Sequence, residues 1–372
     1  AVMGLKRTSL GMITLLVVAA AISLLPATAK LVPPVFGGML VNDAFGYAMR
    51  LFIFVVIAIS VLISMAYAWP DHDDTGEYFF FILLAAVSLG LAVCAGNLVM
   101  VYLAIEMLSI ISYVLAGYLK TDIYSTEAGI KYFLFGALST GMMLYGISLV
   151  YGLCGTLDLA HIGAYLEAGE TQGPTMALAA VLLFAGLAFK AGIVPFHMWV
   201  ADVYEGAPWP VAAFFSVAPK ALGFVLLVRV FLAPGVSVPF WVGLATLLAA
   251  ATMTIGNLSA FHQISIKRLL AWSSVGQAGY ILAGLAAGVL GLKAAFFYIV
   301  VYAFMNLGAF AAAAFLSPEG SSLDGLKGLG RRSPGGAAAF AVFLLSLAGL
   351  PPLAGFWAKF FVVQSLVAVG NL

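Results

Sequence analysis

The stretch VLLFAGLAFKAGIVPFHMWVADVYEGAPWP (residues 181–210) begins as an apolar helix and is interrupted in its middle. Lys190 lies inside the apolar run, Pro195 follows five residues later, and His197 comes soon after. Proline cannot donate to the helical hydrogen-bond ladder, and its ring clashes with the preceding turn. The stretch therefore predicts a helix that is broken close to a buried lysine.

The composition of the whole chain indicates which solvent surrounds it. Of its 372 residues, 64% are hydrophobic and 8% are charged, and the mean hydropathy is +1.13. A soluble domain carries roughly 25% charged residues. We therefore predict an integral membrane protein in contact with lipid. The net charge of +1 offers no basic surface for nucleic acid.

Eleven segments are long and apolar enough to cross a bilayer, which takes about 20 residues. They are residues 8–29, 44–68, 78–96, 97–119, 127–151, 175–199, 208–233, 239–260, 266–289, 291–316 and 337–370. The pattern predicts an all-α, polytopic transmembrane helical bundle that forms a single domain over residues 1–372. The connector at residues 317–336 carries Lys327, Arg331 and Arg332, which favours a cytoplasmic position for it.

Two of these segments share an unusual design. The segment at residues 175–199 contains Lys190, the segment at residues 337–370 contains Lys359, and a proline break lies beside each lysine. Corresponding interrupted helices in the two halves of a membrane protein indicate an internal repeat with a transport site between the repeats.

Four ionisable side chains lie far from any predicted membrane end: Glu106, Lys190, Lys220 and Lys359. Each charge at the bilayer centre costs roughly 2.5–3.5 kcal/mol unless it faces the interior of the bundle, pairs, or contacts water. One carboxylate and three amines in a line have the chemistry of a proton relay, because burial and neighbouring charges bring their proton affinities toward neutrality.

Two further residues have alternative interpretations. The imidazole of His197 could carry protons near neutral pH, or it could bond a backbone carbonyl freed by Pro195. Lys131 stands four residues after Glu127, which is an ordinary spacing for an ion pair on a helix surface.

Four charges outside the apolar runs are interpreted as surface features. Asp202 and Glu205 lie in a polar turn and are expected to be surface or capping charges. Lys267 and Arg268 lie near a helix end and are expected to reach the headgroups.

Six motifs in this order resemble the antiporter-like subunits of proton-pumping NADH:quinone oxidoreductase (complex I). They are YLAIEMLSIISYVLAGY, STEAGIKYFLFGALSTGMMLYG, LAFKAGIVPFHMWVADVYEGAP, IKRLLAWSSVGQAGY, AFFYIVVYAFMNLGAF and LSLAGLPPLAGFWAKF, within residues 102–360. Each motif alone is weak, but six in one order are specific. The likeness is greatest to the N type of subunit, which is similar to subunit 2 of mitochondrial NADH dehydrogenase.

The resemblance implies fourteen transmembrane helices with two inverted five-helix repeats. On this chain the repeat regions are expected at residues 97–233 and 239–370. The eleven predicted helices would then correspond to the second through twelfth helices of the family, so that the first and the last two are missing from this sequence.

The resemblance also assigns the residues of a proton relay. The charged positions of the family, with the histidine of the third motif, fall on Glu106, Lys131, Lys190, Lys220, Lys359 and His197. A pair between Glu106 and Lys131 is expected to control the proton affinity of Lys190. Lysine at position 359 favours the N type of subunit over the M type, which carries glutamate there.

The function implied is that of a proton-translocating membrane-arm subunit in a bacterial plasma membrane or an energy-transducing organelle membrane. Its expected partners are a neighbouring M-type subunit, small membrane subunits and lipid. NADH, FMN, iron–sulfur clusters and quinone are expected in partner subunits, with no redox site in this chain. The two cysteines are too few for the four ligands of an iron–sulfur cluster.

Two alternatives stay open at this point. The chain could belong to a multisubunit cation/proton antiporter or a membrane-bound hydrogenase, which share the broken helices and lysines. It could also be a passive scaffold that keeps the fold without pumping. Buried charges are costly in a scaffold, which argues against the second alternative.

Overall fold

The structure, a computed structural model, describes residues 6–28, 35–69, 75–168, 173–232, 239–317 and 320–370. Within those ranges the chain is helical, and its β pairing consists of isolated bridges between loops. Helices dominate because backbone N–H and C=O groups must bond within their own segment wherever lipid replaces water. The predicted all-α bundle is confirmed.

The described residues form fifteen α-helices. In chain order they are α1 (Arg7–Thr28), α2 (Ala44–Ala66), α3 (Thr75–Ala92), α4 (Leu98–Ala116), α5 (Ile123–Cys154), α6 (Leu159–Glu167), α7 (Pro174–Ala191), α8 (Trp199–Gly206), α9 (Trp209–Phe231), α10 (Pro239–Ala260), α11 (Ile266–Ala286), α12 (Gly288–Leu316), α13 (Leu329–Arg332), α14 (Pro334–Ala348) and α15 (Ala354–Ala368).

Nine of the helices in the described ranges are long and apolar enough to cross a membrane: α1, α2, α4, α5, α7, α9, α10, α11 and α12. Helix α3 and the pair formed by α14 and α15 occupy the two remaining predicted segments. Each of the eleven predicted segments therefore contains a helix. The segment at residues 337–370 contains two, whereas the segment at residues 175–199 contains α7 and ends where α8 begins.

Helix α9 lies at the centre of the bundle. Every residue of α9 except Arg229 and Val230 is buried. It packs against α2, α7 and α12, and more weakly against α3, α4, α8 and α11. A helix that is apolar on all sides is expected in such a position, surrounded by other helices. Lys220 lies on this helix, so the fold holds its amine inside the protein.

The first broken helix ends at a glycine rather than at the proline behind it. Helix α7 stops at Ala191, and Gly192 takes a φ of 73°, in the left-handed region. The N–H of Ile193 donates to the carbonyl of Ala188 at 2.9 Å, closing the Schellman turn that often follows a helix. The prediction that Pro195 causes the break is therefore wrong, because the turn is complete before the proline is reached.

The second broken helix ends in the same way. Helix α14 stops at Ala348, and Gly349 takes a φ of 86°. The N–H of Leu350 donates to the carbonyl of Leu345 at 3.1 Å, which again closes a Schellman turn. The two breaks share one backbone design although their sequences differ.

An ion pair joins α2 and α9 at one end of the bundle. The guanidinium of Arg229 donates to the two carboxylate oxygens of Asp43 at 2.6 and 2.8 Å, and to the carbonyl of Val93 at 2.7 Å. Only 10% of the Arg229 side chain is exposed. Water therefore screens this pair less than it screens a surface pair.

Replacing Arg229 by methionine is expected to lower the free energy of unfolding by about 2 kcal/mol, the size of hydrogen bonds to a charged group. Thermal denaturation of the purified protein in detergent measures this change. Lys327→Met is the control, because its pair with Asp324 is 81% and 79% exposed. Such a surface pair contributes at most about 1 kcal/mol. Equal losses in the two variants would contradict the prediction.

Asp43 also makes this contact dependent on pH. Burial alone would raise the pKa of the Asp43 carboxyl, but the Arg229 guanidinium and the Gly46 N–H outweigh burial and lower it. A lowered folded pKa stabilises the fold above the unfolded pKa, and this contribution is lost as pH falls through the folded value. We therefore expect the wild-type protein to lose stability in acid below about pH 4, and Arg229→Met to lose less.

Candidate functional site

Lys190 occupies an aromatic chamber near the end of α7. Its side chain is fully buried, and its Nζ has no hydrogen-bond partner among the described residues. The Nζ lies 5.8 Å from the ring centroid of Tyr113, 5.3 Å from that of Tyr132 and 5.5 Å from that of Phe189. Ring faces attract a cation without removing its proton. The chamber thus tolerates an ammonium group and leaves its N–H bonds unused.

Glu106 faces this chamber from α4. It is half-buried, its Oε1 has no hydrogen-bond partner among the described residues, and its carboxylate attracts the ammonium of Lys190. The predicted pair between Glu106 and Lys131 is wrong, because Lys131 binds two other carboxylates. Glu106 therefore acts on Lys190 at longer range than a hydrogen bond.

Lys131 belongs to a charge cluster that holds α8. Its Nζ lies 2.7 Å from Glu127 Oε1, as the spacing of four residues predicts, and 2.8 Å from Asp202 Oδ2. The other oxygen of Asp202 accepts a bond of 2.7 Å from Arg268. Asp202 thus joins α5 to α11. Asp202, expected as a surface or capping charge, lies in the first turn of α8 and is half-buried. Arg268, expected to reach the headgroups, binds Asp202 instead.

Glu205 and Lys267 fix the end of α8. Ser265 donates a short hydrogen bond to the Glu205 carboxylate, and Ser321 donates to it at 2.7 Å. The Lys267 Nζ donates to the carbonyls of Glu205 and Ala207 at 3.1 and 2.9 Å. Lys267 therefore binds the protein and does not extend to headgroups. Lys267 and Arg268 lie in the first turn of α11, where the helix dipole disfavours positive charge. That unfavourable position was a sequence signal that these cations bind other parts of the protein.

Lys220 lies on α9 and is fully enclosed, with 2% exposure. Its Nζ donates to Ser274 Oγ on α11 at 2.6 Å and lies 5.7 Å from the ring centroid of Tyr204. A small cavity opens beside this amine and is lined in part by Ser274 and Tyr302. The one hydrogen bond of this amine in the described part of the chain is to a neutral hydroxyl.

Pro219 frees the backbone next to Lys220. Its missing N–H leaves the carbonyl of Phe215 without a helical partner. The hydroxyl of Tyr204 donates to that carbonyl at 3.0 Å, and the hydroxyl of Tyr302 donates to the neighbouring carbonyl of Ser216 at 2.7 Å. The Tyr204 hydroxyl therefore satisfies the carbonyl that Pro219 frees, and both tyrosine hydroxyls bring polar groups toward Lys220.

Lys359 lies on α15 and reaches back to the end of α14. Its Nζ donates to the carbonyl of Leu347 at 3.1 Å and to that of Ala348 at 3.0 Å. The same Nζ lies 4.7 Å from the ring centroid of Tyr280 on α11. The half-buried amine is thus held by backbone carbonyls that the helix break leaves free.

Uncharged side chains that the sequence reading missed continue from Lys220 toward Lys359. Gln277, one turn after Ser274, donates to the carbonyl of Leu347 at 3.0 Å. The hydroxyl of Tyr298 donates a short bond to Gln277 Oε1. A single amide side chain inside an apolar helix, as at Gln277, was the sequence signal that could have identified this group. Gln277 shares its carbonyl acceptor with Lys359.

His197 lies in the break between α7 and α8. Its ring stands 5.4 Å from that of Trp272, and its Nδ1 is buried without a hydrogen-bond partner among the described residues. The ring also forms a backbone hydrogen bond at Pro195, and the charge of Lys220 acts on it. Polar neighbours of Lys220 also come from Ser274, Tyr204 and Tyr302.

A family profile described as NADH:quinone oxidoreductase/Mrp antiporter, transmembrane, matches residues 95–372. The chain therefore belongs to this family, as its motifs predict.

Individual members of this family and of related membrane complexes resemble the chain over most of its length. The chain is 43% identical over 344 residues to NADH-quinone oxidoreductase subunit N of Rhizorhabdus wittichii, covering 91% of this chain and 71% of that protein. A chain of respiratory complex I from Thermus thermophilus with bound aureothin superposes with a TM-score of 0.83 at 35% identity, covering 98% and 79% of the two chains. A chain of the Mrp complex from Dietzia superposes with a TM-score of 0.84 at 26% identity, covering 98% and 71%.

Proposed function

We propose that this chain is a proton-translocating membrane-arm subunit of the N type in an NADH:quinone oxidoreductase. The identity of 43% to a subunit N supports the N type over an Mrp-type antiporter subunit, for which the identity is 26%. The chain is an integral membrane protein, and its bacterial relatives point to the plasma membrane. Its partners are other membrane-arm subunits of such an assembly.

The burial of Lys190 and Lys220 is the observation that carries this proposal. Both side chains are enclosed, and neither amine forms a salt bridge within the described residues. A buried lysine without a carboxylate partner gives up and regains a proton more readily than a paired one. These amines therefore suit loading and release of a proton rather than stabilisation of the fold.

Lys359 would receive the proton after Lys220. Ser274 and Gln277 lie on one side of α11, between Lys220 and the carbonyl of Leu347 that Lys359 binds. Hydroxyl groups and water can relay a proton, whereas an amide and a backbone carbonyl mainly position their neighbours. We place the water of this segment in the cavity beside Lys220.

The directions of the two broken helices support two repeats that are inverted relative to each other. In the described part of the chain, four membrane-spanning helices, α9 to α12, lie between α7 and α14, so alternate crossing makes α7 and α14 run in opposite directions. Each ends at a left-handed glycine beside a lysine. This agrees with repeat regions at residues 97–233 and 239–370 related by an axis in the membrane plane.

Coupling to quinone reduction would act through charge. NADH, FMN, iron–sulfur clusters and quinone belong to partner subunits in this proposal. A charge change in the neighbouring subunit would act on Glu106 and on the cluster around Asp202. That cluster binds α8, and α8 follows directly on the break beside the lysine chamber. A movement of α8 would therefore change access to Lys190.

Two substitutions of Glu106 test the role of its charge. Glu106→Gln keeps the shape and removes the charge that attracts Lys190, so NADH-driven proton pumping by the assembled complex in liposomes is expected to fall about tenfold. Glu106→Asp keeps the charge and should retain a substantial part of the activity. If the two variants pump equally, Glu106 does not act through its charge, and the relay loses its first member.

A further inference from the structure

Each broken helix ends at a glycine that lies against a relay lysine. A Cβ on Gly192 would stand 3.2 Å from the Nζ of Lys220 and 3.3 Å from its Cε. A Cβ on Gly349 would stand 3.2 Å from the Nζ of Lys359 and 2.9 Å from its Cδ. Both distances are shorter than ordinary van der Waals contact, so a side chain at either position would displace the lysine.

The left-handed backbone alone does not explain this contact. Gly288 and Gly155 also have positive φ values, 63° and 67°, yet a Cβ on either would meet no atom within 4 Å in the described structure. Positive φ accounts for a preference for glycine at all four positions. The close approach of an amine is confined, among these four, to Gly192 and Gly349.

The approach places the amine at the negative end of a half-helix. The last carbonyls of a helix carry a partial negative charge equivalent to roughly half an electron. The Nζ of Lys359 donates to two of them, on Leu347 and Ala348. The amine of Lys220 lies against Gly192, the first residue beyond the carboxyl end of α7. A protonated amine is therefore favoured there without any carboxylate.

We infer that Gly192 and Gly349 are positioning residues of the proton relay. Because they lack a Cβ, the amines of Lys220 and Lys359 can lie against the carboxyl ends of α7 and α14. The half-helix then stabilises the protonated lysine, and a small displacement of the amine weakens that stabilisation. This inference rests on the proposed function, and it adds the means by which an unpaired lysine holds its proton in each half.

Asparagine substitutions separate the close approach from the backbone conformation. Asparagine tolerates the left-handed region but carries a Cβ. In the assembled complex, Gly349→Asn and Gly192→Asn are each expected to lower proton pumping roughly tenfold, the size of effect available from a charge at a helix end. The matched control Gly288→Asn should stay within about twofold of wild type, because its Cβ meets open space. Wild-type pumping in both Gly349→Asn and Gly192→Asn would overturn the inference.

A double-mutant cycle tests whether each glycine acts through its lysine. Lys359→Ala removes the atoms that a Cβ at position 349 would meet. If Gly349 only positions Lys359, adding Gly349→Asn to Lys359→Ala should reduce pumping no further, within about twofold. The pH dependence of pumping should also differ between Gly349→Asn and wild type, and not between Gly288→Asn and wild type. If the double variant instead shows the product of the two separate losses in pumping, and the pH profile is unchanged, then Gly349 has a structural role only.

The cycle also separates this inference from the proposed function. If Lys359→Ala alone pumps like wild type, Lys359 is not a relay member, and the proposed function fails at that residue. The inference is then decided by the corresponding cycle of Gly192→Asn with Lys220→Ala. If both lysines are needed for pumping but the glycine losses are independent of them, the relay stands and the positioning role is wrong.

Discussion

Replacing Lys190 by methionine is expected to reduce NADH-driven proton pumping on the order of 100-fold, the size of a lost proton-transfer group. Methionine fills a similar volume and is compatible with the rings of Tyr113, Tyr132 and Phe189, so the chamber should keep its packing. Pumping measured in liposomes, with assembly followed by native gel, separates lost transfer from lost folding. Because pumping and electron transfer are coupled, quinone reduction should fall as well.

Lys293→Met is the control for this prediction. Lys293 is exposed on α12, outside the lysine series. A charge in that position contributes little beyond solubility, so the variant should assemble and pump like wild type. Near-wild-type pumping by Lys190→Met, in a fully assembled complex, would remove Lys190 from the relay.

Replacing Asp202 by asparagine is expected to lower pumping at least tenfold and to loosen α8. Asp202 is the shared partner of Lys131 and Arg268, at 2.8 and 2.7 Å. Removing its charge leaves Lys131 with Glu127 and leaves Arg268 without an ion-pair partner among the described residues, so one positive charge of the cluster is no longer balanced. Proton pumping and protease resistance of the chain in the assembled complex measure the two effects.

A second substitution tests the physical reason. Asp202→Asn combined with Arg268→Met removes the excess positive charge, so the double variant should recover part of the protease resistance lost in Asp202→Asn. Asp324→Asn is the control, because Asp324 is 79% exposed in its pair with Lys327. A double variant that is no better than Asp202→Asn would argue that the carboxylate acts through hydrogen bonding and not through its charge.

Hydrophobicity and helix length were sufficient to predict the fold class from the sequence. A segment that crosses a bilayer must be apolar along about 20 residues and must bond its own backbone, so both its extent and its helical state are local properties. All eleven segments contain helices for that reason. The breaks could also be predicted from nearby residues, because each broken segment contains a glycine with positive φ that is soon followed by proline. The cause of the first break was assigned to the wrong residue, because a proline is easier to recognise in a sequence than a Schellman turn.

The buried charges were predictable for a related reason. Glu106, Lys190, Lys220 and Lys359 stood out because a charge far from any membrane end is costly in lipid, whatever the fold. That cost identifies a residue without identifying its partner. The sequence therefore predicted which amines are special, whereas the predicted Glu106–Lys131 pair was wrong.

Partners were decided only by the tertiary structure, because they depend on which helices pack together. Asp202 and Arg268 are 66 residues apart, and Gln277 and Leu347 are 70 residues apart, so no local pattern brings either pair into contact. The lysine–glycine contacts at positions 220 and 192, and at positions 359 and 349, are decided in the same way. The sequence by itself determined a membrane bundle with four charges far from any membrane end. Packing of α8, α11 and α14 against their neighbours determined what those charges touch, because hydrogen bonds form across helices and not along them.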